Sequence, residues 1–346
     1  MKRESRWYTL GMQVLAIFFA LVFTTIVLLM ANAQPIEAYK NILRGSFDSI
    51  GSITNVIVAW IPLLLASIGA LVTFSAGLWN IGIEGQITMG AIATTFALRV
   101  LQDSGLPPAL IIVIGVLAGF AGGAIWAAIV GALKTYGGVN EIFGGLGMNF
   151  VATAMTIWLI FGPWKRPGIG SMSGTEPFKE DLWLPTIADL RLSWWSVIIG
   201  VLALVIVYFI LSNTYFGLKL KAVGKNRKAA SILGIPTSKY MMAAFMICGG
   251  IVGLAGGLQV LAVHHRLIPS ISSGYGYLGL MVGMLINYQV IWAAPVAFFF
   301  AALNFGSIQL PIVMKLDSSL SGVLQGALVL FVLMMDGIRK RLSKKA

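Results

Sequence analysis

The chain is 346 residues long, 58% hydrophobic and only 10% charged, with a mean hydropathy of +0.90. Soluble domains carry about a quarter charged residues, so this composition excludes a soluble globular domain. It predicts an all-α polytopic membrane protein with length for roughly ten spans of about 20 residues. The net charge of +12 sits beside the span ends, the pattern of a chain facing anionic headgroups and a cytosolic partner rather than nucleic acid, and the single Cys248 excludes an intrachain disulfide.

In chain order, "MKRESRWYTL" precedes an apolar run over 10–31. "ANAQ" (31–34) has the look of a signal-peptidase site. The apolar run is about 22 residues, however, against 7–15 for a signal h-region, so it reads as a first span that is kept. Further spans are predicted near 54–74, 80–98, 108–132, 142–162, 194–212, 240–262, 276–289, 290–310 and 319–337, with 263–310 the least regular part. With the N-terminus in the cytoplasm, fifteen basic residues face three acidic ones on that side and nine face eight on the other, leaving Glu84 unassigned. That asymmetry follows the positive-inside rule and places both termini in the cytoplasm. The whole of 1–346 reads as one transmembrane domain, with an external loop at 163–193 and a cytoplasmic segment at 213–239 that carries six basic residues and no acidic one.

The stretch "GLWNIGIEGQITMG" (77–90) interrupts the apolar pattern with Gly77, Gly82, Gly85 and Gly90, and with Asn80, Glu84 and Gln86. Glu84 is the only acidic residue between Asp48 and Asp103. A carboxylate at bilayer depth costs a few kcal/mol or more and faces a polar interior or a partner. Two readings stand: the polar residues line a cavity or brace a broken helix, or the segment is a short turn with Glu84 in water. "GLWNIG" is echoed by "GYGYLG" (274–279), with Gly274 and Gly279. Paired Gly-interrupted segments in two halves mark the binding site of transporters built from internal repeats. Trp79, Tyr275 and Tyr277 flank these breaks as interfacial-belt aromatics or as faces on which a planar ligand stacks. Asn149 needs hydrogen-bond partners inside its span, from substrate or from another helix, and Asn304 reads the same way. His264, His265 and Arg266 read as a solvated external loop.

The cytoplasmic stretch "GKNRKAASILGIPTSK" (224–239) predicts a short helix stopped by Gly234, with Pro236 following. Its Ala229, Ala230, Ile232 and Leu233 form small apolar knobs, suited either to a groove on a soluble partner or to a basic, lipid-facing loop. The chain has no G-x-x-x-x-G-K-[ST] phosphate loop, no H-E-x-x-H and no nucleophile elbow, so it carries no motif for hydrolysing ATP.

"GLWNIGIEGQITMGA" resembles the signature of permease subunits in bacterial ABC importers for nucleosides. "GKNRKAASILGIPTSKYMMAAFMICGGIVGLAGG" (224–257) resembles the coupling segment of the wider family, which includes ribose-type and branched-chain amino-acid permeases. "VNEIFGGLGMNF", "GPWKRPG" and "SGYGYLGLMVGMLI" extend the likeness over roughly 50–337, with "GGLGMN" a looser match. Ribose-type relatives carry an Asp-containing sequence where this chain has "NIGIEGQ". The resemblance implies a substrate pathway past Trp79, Asn80, Glu84, Gln86, Asn149, Tyr275 and Tyr277. It implies ATPase coupling through Gly224, Lys225, Arg227, Ala229, Ala230, Leu233, Gly234 and Ile235. It implies cytosolic ABC ATPase subunits that use ATP, a second and different permease chain, an external binding protein or lipoprotein, no cofactor in this chain, and residence in the bacterial cytoplasmic membrane. The rival readings are the same architecture for a simple sugar or amino acid, and an ion-coupled secondary transporter with Glu84 as its ion site. An intramembrane enzyme has no plausible catalytic residues in the spans.

Overall fold

The computed structural model describes residues 6–168, 174–187, 190–286, 289–315 and 319–345, so parts of the expected external loop, at 169–173 and 188–189, lie outside the described residues. Among the described residues the regular elements are all helical. Helix α1 (Arg6–Met30) ends where Asn32 adopts a left-handed φ of 55° and the Ala33 N–H closes back on the Leu28 carbonyl at 2.9 Å. Asn tolerates that conformation well. Pro35 then opens α2 (Pro35–Phe47) at a position where its missing N–H costs nothing. Helix α3 (Ile50–Ser75) is followed by the first Gly-rich break and by α4 (Ile83–Leu101). Helix α5 is Pro108–Thr135. Helix α6 (Glu141–Phe161) is capped by Asn140, whose side chain accepts from the Ile142 N–H at 2.8 Å. Helices α7 (Trp194–Asn213), α8 (Tyr215–Lys225) and α9 (Arg227–Ile232) lead to α10 (Thr237–Leu258), which continues as a π-helical turn over Gln259–His264. The chain closes with α11 (Tyr275–Leu285), α12 (Ala293–Gly306), α13 (Gln309–Met314) and α14 (Ser319–Lys345).

Five helices are long and apolar enough to cross a membrane: Ile50–Ser75, Pro108–Thr135, Glu141–Phe161, Trp194–Asn213 and Thr237–His264. A sixth span results if Phe18–Met30 and Pro35–Phe47, bent by 109° at their junction, are counted together. These counts apply to the described residues, and the expected ten crossings are not reached by this measure. The expected spans at 276–289 and 290–310 correspond instead to shorter helices of 11 and 14 residues.

The chain divides into two compact units, Met1–Val56 with Phe298–Ala346, and Ile57–Ala297. In the first, Leu28, Ala33, Ala38, Ile42, Leu310 and Leu324 form a core, and the buried Ser46 hydroxyl donates to the Ala302 carbonyl at 2.7 Å. In the second, α4, α5 and α10 pack backbone to backbone where Gly90 and Gly123 meet Gly253. Small residues permit such approach, which replaces the hydrophobic drive that lipid cannot supply. The windows of Ile50–Ser75 and Thr237–His264 are 78% buried, whereas those of α5, α6 and α7 are about a third buried or less, so the former are central and the latter peripheral.

The segment 174–187 is held against the chain after α10. The N–H groups of Thr175, Phe178 and Leu184 donate to the carbonyls of Leu267, His265 and Leu261, each at 2.9 Å. Phe178, Leu182 and Leu184 are buried beneath it. The histidine pair is therefore not a solvated loop: the His265 ring stacks on Trp183 at 3.8 Å with an interplanar angle of 13°.

Candidate functional site

The first break turns because Gly77, at φ +70°, follows α3 with its N–H on the Phe74 carbonyl at 2.9 Å. A side chain at Gly77 would meet the Gly224 carbonyl oxygen at 2.9 Å, and one at Gly224 would meet the Gly77 nitrogen at 2.8 Å. The break and the end of α8 thus touch backbone to backbone, which only paired glycines allow. Gly82 precedes the first residue of α4, while Gly85 and Gly90 lie inside that helix.

Asn80 and Gln86 are both fully buried and form a reciprocal pair. Each side-chain amide donates to the other's carbonyl at 3.1 Å, and Asn80 Nδ2 also reaches Cys248 Sγ at 3.2 Å. This satisfies polar groups that would otherwise be costly at such burial. In this conformation the two amides are spent on each other and brace the break.

Glu84 is half-buried and joins the two Gly-rich breaks, 190 residues apart in sequence. Its Oε1 accepts from the Gly274 N–H at 2.9 Å and its Oε2 from the Gly276 N–H at 2.8 Å. Gly274, at φ +75°, precedes α11, so the carboxylate caps that helix where unpaired N–H groups and the helix dipole favour an anion. Asn149, on α6, completes the junction. Its Oδ1 accepts from the Gly85 N–H at 2.8 Å, and its Nδ2 donates to the Ile81 carbonyl at 3.0 Å and to the Tyr277 hydroxyl at 3.3 Å. Tyr275 is half-buried, Trp79 and Tyr277 are each 41% exposed, and Trp79 meets Phe74 edge to face. Gly279 is buried against Ala66 and Ser67 of α3.

Two residues and one ion pair carried no local signal in the sequence. The buried Trp126 indole N–H has no hydrogen-bond partner among the described residues, and it lies 3.2 Å from where a side chain at Gly85 would begin. Cys248 supplies the third member of the amide knot. Lys134 and Glu141 form a 2.6 Å ion pair between the end of α5 and the start of α6.

In the stretch 224–239 the expected short helix is α9, which ends just before Gly234, while Gly224 and Lys225 belong to α8. Asn226, at φ −158° and ψ 101°, ends α8 and caps α9 by accepting from the Ala229 N–H at 3.0 Å. Lys225, Arg227 and Ala229 are exposed, Ile235 is half-buried, and Gly234 takes φ +77°. Ala230 is only 2% exposed, whereas Ile232 and Leu233 are 86% and 79% exposed. The apolar knob that projects is Ile232–Leu233.

The family model described as branched-chain amino acid transport system / permease component matches residues 52–333. The chain is 27% identical to the glucose ABC transporter permease protein TsgB13 of Haloferax volcanii over 344 residues, covering 96% of this chain and 90% of that one. It is 25% identical to the guanosine ABC transporter permease protein NupP of Bacillus subtilis over 333 residues, covering 95% and 94%. It is 25% identical to the nucleoside ABC transporter permease protein NupB of Lactococcus lactis over 304 residues, covering 85% and 81%.

Proposed function

The chain belongs to the branched-chain amino acid transport system permease family, and from that premise we propose that it is the membrane-spanning subunit of an ATP-driven importer for nucleosides. It works beside a second permease chain, with ATP hydrolysed by separate cytosolic subunits and substrate delivered by an external binding protein. Both termini face the cytoplasm. The observation that carries the transport reading is the junction at Glu84 and Asn149, where two interrupted helices meet through side chains that hold backbone groups. Irregular backbone is tolerated at membrane depth where protein or a water-filled cavity covers it, and interrupted helices are where transporters place their substrate groups.

In this reading the substrate passes Glu84, Asn149, Tyr275, Tyr277 and Trp79, with Asn80 and Gln86 bracing the wall behind them. The exposed faces of Trp79 and Tyr277 suit a planar base, and the buried Trp126 N–H, without a partner among the described residues, lies beside Gly85. The guanosine and nucleoside relatives support this substrate class. A second reading, import of a simple sugar, is favoured by the glucose permease relative. The deciding experiment reconstitutes the permease with its ATPase and binding protein and measures uptake of labelled guanosine against competing nucleosides and glucose. ATP-dependent uptake displaced by nucleosides and unaffected by uncouplers is the expected result. Displacement by glucose alone would select the sugar, and collapse of uptake by uncouplers would select an ion-coupled carrier.

A further inference from the structure

We propose that α2 is an interfacial helix, lying along the headgroup level of the bilayer with its outward stripe in lipid. Helix α1 has 25 residues; at 1.5 Å per residue that is about 37 Å, more than the roughly 30 Å hydrocarbon core. It needs no contribution from α2 to complete a crossing. The chain turns by 109° between Phe18–Met30 and Pro35–Phe47, and a span tilted by about 20° from the normal then leaves α2 close to the membrane plane.

The sequence of α2, "PIEAYKNILRGSF", carries two apolar stripes. One, with Ala38, Ile42, Gly45 and Ser46, is buried in the core of its own unit. The other consists of Ile36, Leu43 and Phe47, spaced to lie one above another on a helix and exposed by 70%, 60% and 46%. Lys40 and Arg44 lie along one edge of this stripe, with Glu37 paired to Lys40 at 3.1 Å. The occupant is argued from continuity and charge. At its start the stripe adjoins the end of α1, the helix expected to form the first span, where Ile26, Leu29 and Met30 are exposed. Basic residues beside an apolar stripe reach lipid phosphates while their stems stay in the interface.

The test leaves the transport reading aside and uses the full-length protein in liposomes. Single cysteines are introduced as Ile36→Cys, Leu43→Cys and Phe47→Cys and tagged with a nitroxide; the native Cys248 is fully buried and does not compete. Ile36 and Leu43 are mostly exposed, so their substitutions leave packing intact, whereas Phe47→Cys also removes a ring 6.5 Å from that of Phe298 and is read beside the other two. Collisions with oxygen, which concentrates in lipid, are compared with collisions with a water-soluble nickel chelate. High oxygen and low nickel accessibility at all three sites is the expected result. High nickel accessibility would show the stripe in water, and low accessibility to both would show it covered by protein; either result overturns the proposal. Uptake measured on the same variants separates this result from any failure of the transport reading.

Discussion

Glu84 holds the junction through two charge-assisted hydrogen bonds to the backbone. Glu84→Ala leaves two N–H groups uncapped and is expected to cost about 1–3 kcal/mol locally, with uptake falling about tenfold, the equivalent of roughly 1.4 kcal/mol. Glu84→Gln retains one acceptor oxygen and should fall between Glu84→Ala and the parent. Uptake and thermal stability of both variants check this together, and unchanged uptake in both removes Glu84 from the pathway. Asn80 is expected to behave differently. Asn80→Ala orphans the buried Gln86 amide and should lower stability by about 1–3 kcal/mol, with uptake tracking the amount of folded protein. Burial pushes the His265 imidazole below its ordinary pKa. The ring is therefore held neutral while docked, and released it takes a proton near pH 6.5. Stability from this contact is complete above about pH 6.5 and declines as pH falls below it. Hydrogen exchange of the 175–184 amides, corrected for intrinsic rate, should lose protection between pH 7.5 and 5.5, and His265→Phe should weaken that dependence.

Among the elements, α9 separates two roles that its sequence had merged. Ala230 is buried and Leu233 projects. Ala230→Asp places an unpaired charge in a packed site, at a cost of at least about 2 kcal/mol, and is expected to reduce assembly of the permease itself. Leu233→Asp changes only an exposed knob. It is expected to leave the permease folded while ATP hydrolysis by the purified complex loses its link to uptake. Normal coupling in Leu233→Asp would remove α9 from the ATPase contact. The end of α8 touches the first break through Gly224 and Gly77. Adding a methyl group by Gly224→Ala should cost about 1–3 kcal/mol through overpacking against fixed backbone.

For the whole molecule, the asymmetry of basic residues sets the expected orientation. Cysteines introduced as Glu176→Cys and Lys225→Cys test it in intact cells with a membrane-impermeant reagent. Labelling at 176 and none at 225 until the membrane is opened is the expected pattern; the reverse pattern inverts the topology. Both positions are exposed, so accessibility reports the side of the membrane rather than burial in the protein.

Hydrophobicity and helix-end residues are local properties, and they determined the helical, membrane-embedded class. The long helices α3, α5, α6, α7 and α10 begin and end within a few residues of the expected spans at 54–74, 108–132, 142–162, 194–212 and 240–262. The two Gly-rich breaks were also legible, because glycine and polar residues are conspicuous inside apolar runs. What those polar residues hold was not. Asn80 pairs with Gln86 across a turn and with Cys248 across 168 residues, and Glu84 reaches N–H groups 190 and 192 residues away. The same carboxylate in a solvated turn has an identical sequence signature, since local sequence sets where a helix breaks but not which distant backbone arrives beside it. Only the packing of α11 against α4 decided that Glu84 is a helix cap. Only the packing beneath α9 decided that Ala230 is buried while Ile232 and Leu233 project.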